Sequence, residues 1–306
     1  VNATPAMMMP AAATLRDTFN NSKLRQVDNN LDLAAKAWFK ATDNTSWYLG
    51  VAQKNRSPSY QERYLWLPLQ ATAGLADGYT YTGTIALNPE VSSQIESGLN
   101  YSNGGLTLSP RIFYSKVKDY IQGTVSEDTA AIAFVRMMNM QYGTNNPDPL
   151  QFTNVDAQLY GFDMDWAWYL SEQWSLSGVV NYVRGERDDS SDDNLYRIAA
   201  PNATVSLTYT APAWTAAIET VGYAKQDDVS VVNNEQASSS YGLINLNATW
   251  YATKNLQLAA GVDNVLDKRY EDHLGGYNRA INPDIALGAR LPSYGANIFA
   301  RVMYTF

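Results

Sequence analysis

The sequence has no cysteine and a single histidine, His273. The first absence excludes disulfides, thiolate metal centres and cysteine nucleophiles. The second leaves any histidine-dependent acid–base chemistry to one imidazole. No apolar run approaches the roughly 20 residues that a membrane-spanning helix needs, and mean hydropathy is −0.32. Basic charge is scarce: 22 Lys and Arg face 30 Asp and Glu, for a net charge of −8. That balance argues against a nucleic-acid partner, which calls for a basic face. The stretch from Val1 to Ala13 has neither a basic start nor an apolar core and is not expected to be a secretory leader. One membrane class survives these absences. Strands of a transmembrane barrel alternate apolar and polar residues, so average hydropathy hides their lipid-facing surface.

What the chain does contain is period-two alternation. Val91, Ile95, Leu99 and Tyr101 fall on one parity, and Ser92, Gln94, Glu96 and Asn100 on the other. The last run is cleaner: Tyr294, Ala296, Ile298, Ala300, Val302, Tyr304 and Phe306 share one face, against Gly295, Asn297, Arg301 and Thr305. The pattern predicts about eleven strands, at 30–41, 46–56, 91–102, 105–119, 152–170, 173–186, 196–210, 213–226, 238–251, 256–265 and 294–306. Turn signals alternate short and long. Short ones fall near Asp43–Thr45, Asn103–Gly104, Ser171–Glu172, Ala211–Pro212 and Thr253–Lys254. Long connections cover roughly 57–89, 120–151, 186–195, 226–239 and 266–293. Short turns at one end and long loops at the other describe an outer-membrane barrel with its long loops outside the cell.

Tryptophan tests this topology independently. Trp38, Trp47, Trp166, Trp168, Trp174, Trp214 and Trp250 all lie near a short turn, and only Trp66 sits in a long connection. Rings of this kind collect at membrane–water boundaries. A soluble β-sandwich or propeller also alternates, but its strands run to about 5–6 residues. The chain therefore reads as all-β: a transmembrane antiparallel β-barrel forming one domain over 1–306. An odd strand count would leave unpaired edges in lipid, which is costly. The expectation is a fragment whose missing strands precede Val1.

Four segments carry a family resemblance. The first is Arg56-Ser57-Pro58-Ser59-Tyr60-Gln61-Glu62-Arg63-Tyr64. The second is Leu87-Asn88-Pro89-Glu90 with Glu96-x-Gly98, Phe113-Tyr114 and Val117-x-Asp119-Tyr120-Ile121. The third is Asn154-Val155-Asp156 leading to Tyr160-Gly161. The fourth is Asn264-Val265-Leu266-Asp267-Lys268-x-Tyr270, followed by a closing strand that ends in Phe306. In this order they resemble the TonB-dependent receptor family. The resemblance implies the C-terminal half of a 22-stranded barrel in the outer membrane of a Gram-negative bacterium. It also implies an N-terminal plug and active import driven by the TonB–ExbB–ExbD complex, in contact with outer-membrane lipid and lipopolysaccharide. The plug, the signal peptide and the TonB box are not among these residues.

The cargo is addressed by methionine. Met7, Met8 and Met9 form one cluster, and Met137, Met138 and Met140 another, both assigned to the long-loop side. Thioether sulfur is soft and selects Cu(I) over hard cations. The stretch Leu65–Asn88 is also similar to the copper-receptor branch of the family. Copper, as transported substrate and not as resident cofactor, is thus expected at Met7, Met8, Met9, Met137, Met138, Met140 and His273. The plain alternative is that these methionines fill gaps and that His273 is an ordinary loop residue. A ferric-siderophore or haem cargo is the competing transport reading, with Tyr60, Tyr64, Trp66, Tyr79 and Tyr81 as contacts. A passive porin or a barrel hydrolase are other classes. A hydrolase needs a nucleophile against His273, and no nucleophile motif adjoins it in sequence, so no catalytic residue is assigned.

Overall fold

A computed structural model describes residues 9–70, 77–189, 194–278, 284–286 and 288–306. The chain opens with helix α1 (Pro10–Asn21) and pairs β1 (Leu33–Lys40) with β2 (Thr45–Arg56). The long connection that follows holds the one-turn helix α2 (Tyr60–Tyr64) and a small hairpin, β3 (Leu69–Gln70) and β4 (Thr80–Thr82). Then come β5 (Glu90–Asn103), β6 (Leu106–Val125), helix α3 (Thr129–Tyr142), β7 (Leu150–Tyr169), β8 (Trp174–Arg187), β9 (Asn202–Ala211), β10 (Trp214–Tyr223), β11 (Tyr241–Tyr251), β12 (Leu256–Asp263) and β13 (Asn297–Tyr304). Apart from the hairpin, each strand pairs with the next, so the sheet runs β1-β2-β5-β6-β7-β8-β9-β10-β11-β12-β13. All of these pairings are antiparallel. The eleven long strands are those the alternation predicts. β1 and β13 are the free edges of the sheet, and every residue of both is exposed.

Register turns the alternation into two chemically distinct faces. One apolar row crosses six strands: Leu176, Leu207, Ile218, Leu246, Val262 and Ile298 are successive partners. Another aligns Ile112, Phe162 and Tyr182. The opposite face aligns Gly98, Arg111, Asp163 and Asn181. It also aligns Ser206, Glu219 and Asn245. Its charges pair across strands: Lys36 Nζ lies 2.7 Å from Glu96 Oε1, and Arg111 lies 3.9 Å from Asp163 and 3.6 Å from Asp165. Trp47, Trp166, Trp168, Trp174, Trp214 and Trp250 share the apolar face at its short-turn end. Trp38 departs from this band. It pairs with Tyr48 on the polar face, where the Lys36 ammonium sits 5.9 Å from its ring and 4.1 Å from that of Tyr48.

Two helices lie outside the predicted strands: α3 within the long connection expected at 120–151, and α1 ahead of the first strand. In α3, the Asp128 side chain accepts from the amides of Ala130 and Ala131, and Gly143, at φ 64°, ends the helix in the left-handed region. Pro10 opens α1, where its missing N–H is harmless. The helices pack through Ala12, Leu15, Ala131, Phe134 and Val135, with Trp66 against them. Most of the buried apolar side chains lie toward the long-loop end, in this cluster, in a second around Tyr81, Leu87, Ile121, Leu150 and Phe152, and in a third of Val117, Ala157 and Leu195.

Candidate functional site

The long-loop end of the sheet is built on the motif residues. Pairing of β6 with β7 shifts register between Val117 and Tyr120, and Asp119 in that gap takes φ 57°. A shift of this kind leaves backbone groups unpaired, and motif side chains satisfy them. The Asn154 amide donates to the Asp119 carbonyl at 2.7 Å and the Asn88 carbonyl at 3.1 Å, while its oxygen accepts the Asn88 N–H at 2.9 Å. The Asp119 N–H reaches Asp156 Oδ1 at 3.1 Å, and the Ile121 N–H reaches Glu90 Oε1 at 2.8 Å. Arg56 bridges Glu90 and Glu62, at 2.6 and 2.9 Å. Glu62 and Ser59 exchange hydrogen bonds as a capping box at the start of α2. Residues from the first three motifs thus meet in one network that turns the chain out of the sheet. The fourth does the same at β12: Asn264 and Asp267 both take φ 49°, and Asn264 bonds both the N–H and the carbonyl of Lys268.

Above this base the long loops close over one another. Asp77, buried, accepts the hydroxyls of Tyr81, from its own hairpin, and of Tyr196, which follows β8. Burial, reinforced by the Asp77 charge, pushes both phenols upward in pKa. Tyr79 donates to the Asn233 carbonyl at 2.7 Å. Glu235 gathers three segments: its carboxylate accepts the N–H of Arg197 and of Ser230, both at 2.9 Å, and lies 3.2 Å from His273 Nε2. The other nitrogen of His273 lies 3.0 Å from Ser238 Oγ. Arg290 donates to the carbonyls of His273 and Gln236.

The Ser238–His273–Glu235 chain is invisible to sequence motifs, since its members are 35 and 38 residues apart. Its arrangement ties loops together. The His273 and Glu235 side chains are 2% and 3% exposed, and Ser238 is held by two backbone bonds to Gln226. Both imidazole nitrogens are engaged, so His273 can ligate a metal only by giving up a hydrogen bond.

The expected metal residues separate into groups. Met7 and Met8 lie outside the described residues, as does part of the Leu65–Asn88 stretch. Met9 precedes α1, and Met138 sits on α3; both pack against the cluster between the two helices. Met137 is half-buried on α3, and Met140 is 79% exposed. Among the described residues no group of three or more His, Asp or Glu is arranged to hold a metal ion; thioethers fall outside that description. Of the aromatic candidates, Trp66 packs on Phe19, Tyr81 is buried, and the hydroxyls of Tyr79 and of the half-buried Tyr64 are bonded to the Asn233 and Leu24 carbonyls; Tyr60, 78% exposed and with its ring centroid 5.2 Å from that of Tyr64, faces solvent.

Residues 14–265 match a family model described as TonB dependent receptor-like, beta-barrel. The ferrienterobactin receptor of Escherichia coli K12 is 24% identical over 257 residues, which cover 79% of this chain and 33% of that protein. Among solved structures, the copper transporter OprC superposes with a TM-score of 0.73 at 23% identity, over 89% of this chain and 39% of that one. The FrpB iron transporter of Neisseria meningitidis gives 0.64 at 16% identity, over 90% and 39%. The chain thus spans between a third and two-fifths of the length of these relatives.

Proposed function

Because the chain belongs to the TonB-dependent receptor β-barrel family of the Gram-negative outer membrane, we propose that it forms part of a receptor for energised import, with copper as the cargo. The observation that carries the copper reading is the methionine set of the long-loop side. Met9 and Met138 each pack against the α1–α3 cluster, and Met137 and Met140 lie on the same helix as Met138. Soft sulfur donors held on the outward loops suit capture of Cu(I). The structural likeness to a copper transporter supports this assignment at the level of fold. Met7, Met8 and His273 complete the proposed ligand set, His273 after releasing Ser238 or Glu235.

The proposed partners are the TonB–ExbB–ExbD complex, acting through the plug of the whole receptor, and outer-membrane lipid and lipopolysaccharide around the apolar face. No catalytic role is proposed. Replacing Met137, Met138 and Met140 together by Leu conserves volume and removes sulfur. Cu(I) affinity of the intact receptor, read by competition with a chromogenic chelator, is expected to fall at least about tenfold, or some 1.4 kcal/mol. Unchanged affinity would remove these residues as ligands.

A ferric-chelate cargo is the second reading. It rests on the likeness to the ferrienterobactin receptor and on the exposed Tyr60, whose ring packs beside that of Tyr64. Growth on ferric enterobactin as sole iron source, abolished by loss of the receptor, would favour it over copper.

A further inference from the structure

The sequence holds one Asn-Gly step, Asn103-Gly104, and the fold places it at the tip of a tight hairpin. β5 and β6 pair to their ends, Asn103 against Leu106, so only Gly104 and Gly105 make the turn. Gly104 takes φ 56°, which a side chain disfavours, and the Gly105 N–H closes on the Asn103 carbonyl at 2.5 Å. The space around Gly104 is open: nothing lies within 4 Å of the place where a Cβ would stand. Its own N–H donates to no group among the described residues. Asn103 is exposed, and its amide nitrogen meets only the Tyr101 hydroxyl, at 3.2 Å. The asparagines of the loop network differ: Asn154 and Asn264 spend both ends of the amide on main-chain groups.

An unshielded backbone nitrogen that follows a loosely held side-chain amide brings two reacting groups together within one chain. We propose that Asn103 is a site of spontaneous deamidation. The Gly104 nitrogen attacks Cγ of Asn103. The N–Cγ bond forms, the Cγ–Nδ2 bond breaks, and the amide nitrogen leaves as ammonia with the proton from the Gly104 N–H. Water then opens the cyclic imide at either carbonyl. Opening at Cγ gives aspartate; opening at the main-chain carbonyl gives isoaspartate, whose backbone runs through Cβ and Cγ. No electron is transferred, and water is the only co-reactant. Both products add a negative charge at neutral pH. Isoaspartate also lengthens the main chain of a turn that has no slack. Neighbouring turns are tied to this one: the Ser102 N–H donates to the Asn44 carbonyl at 2.9 Å, and the Gly105 carbonyl accepts the Tyr169 N–H at 2.7 Å. Asn44 and Asn255 are exposed at other short turns, but Thr45 and Leu256 follow them, and a Cβ there screens the nitrogen. The inference stands independently of the cargo.

The test ages the full-length, detergent-solubilised receptor in mildly alkaline buffer made with heavy-oxygen water. Peptide mass spectrometry then counts aspartate and isoaspartate at each asparagine. Residue 103 is expected to convert severalfold faster than Asn44 and Asn255, with heavy oxygen incorporated and isoaspartate among the products. Gly104→Ala, which screens the attacking nitrogen, should slow the conversion severalfold. That variant also disturbs the turn, so Asn103→Gln serves beside it: it keeps Gly104 and enlarges the ring that must close, and it should slow the conversion likewise. Conversion at residue 103 no faster than at Asn44 and Asn255 overturns the inference. Aspartate without isoaspartate overturns it as well, because that product marks direct hydrolysis of the side chain. An undiminished rate in either variant does the same.

Discussion

Asn154 illustrates how a side chain is chosen by the backbone around it. Its amide and carbonyl serve three main-chain groups, on Asn88 and Asp119, so Asp, Ser or Ala would each leave at least one of them unpaired. Gly98 is constrained by space instead: a Cβ there would fall inside contact distance of the Tyr48 ring, and Tyr48 is itself buried. Gly98→Val is expected to cost about 1–3 kcal/mol through overpacking, measured by urea unfolding of the receptor. An unchanged midpoint would mean that Tyr48 swings freely off the strand. Charge acts at the same scale. Hydrogen bonding from Arg63 holds the Asp28 carboxyl below the ordinary carboxylate range, and Arg136 does the same for Asp148. A lowered folded-state pKa contributes stability that is complete above the unfolded value, near 3.9, and is lost as pH falls through the folded value. Hydrogen exchange compared at pH 6 and pH 3, after correction for intrinsic rates, should therefore show loosened protection near residues 24–32 with the strands unaffected. Equal protection at both pH values would show that the Arg63 pair does not anchor that segment.

Strands were legible and helices were not, for a physical reason. A strand exposed to two different solvents is pressed to alternate along its length, and β8, β11 and β13 keep one mainly apolar face even where Val179, Leu243 or Phe299 stands on the other. The last turns of β6, from Tyr120 to Val125, lie beyond the register shift and pack under the loops, where alternation is no longer imposed; the expected end at 119 falls short for that reason. Helix α3 carried its signals, Asp128 before it and Gly143 after it, but they lie inside a long connection between strands, where the strand pattern gives no helix. The membrane-facing assignment makes a test at this scale. Ile298 ends the six-strand apolar row and is 80% exposed. Ile298→Arg should destabilise the barrel by about 2–4 kcal/mol if it lies at the bilayer midplane, whereas Asn297→Arg, one residue away on the polar face, should change little. Equivalent effects in a reversible unfolding assay in lipid would reverse the two faces.

At the level of the molecule, the sheet was readable from local pattern while the loop assembly was not. Its ties join residues far apart in sequence, such as Arg197 to Glu235 and Tyr79 to Asn233, separated by 38 and 154 positions. No spacing rule anticipates such pairs. The length of β6 and β7 sets where this assembly sits. Each has 20 residues, or about 66 Å at about 3.3 Å per residue. Tilted by about 45° they still climb about 47 Å, against a hydrocarbon layer of about 30 Å. The pair is a mast. Whatever arrives from outside first meets a platform raised roughly 15 Å or more above the acyl chains, among the headgroups and beyond them. On the proposed import reading, a large molecule that settles on this platform would cover the surface that a cargo must cross.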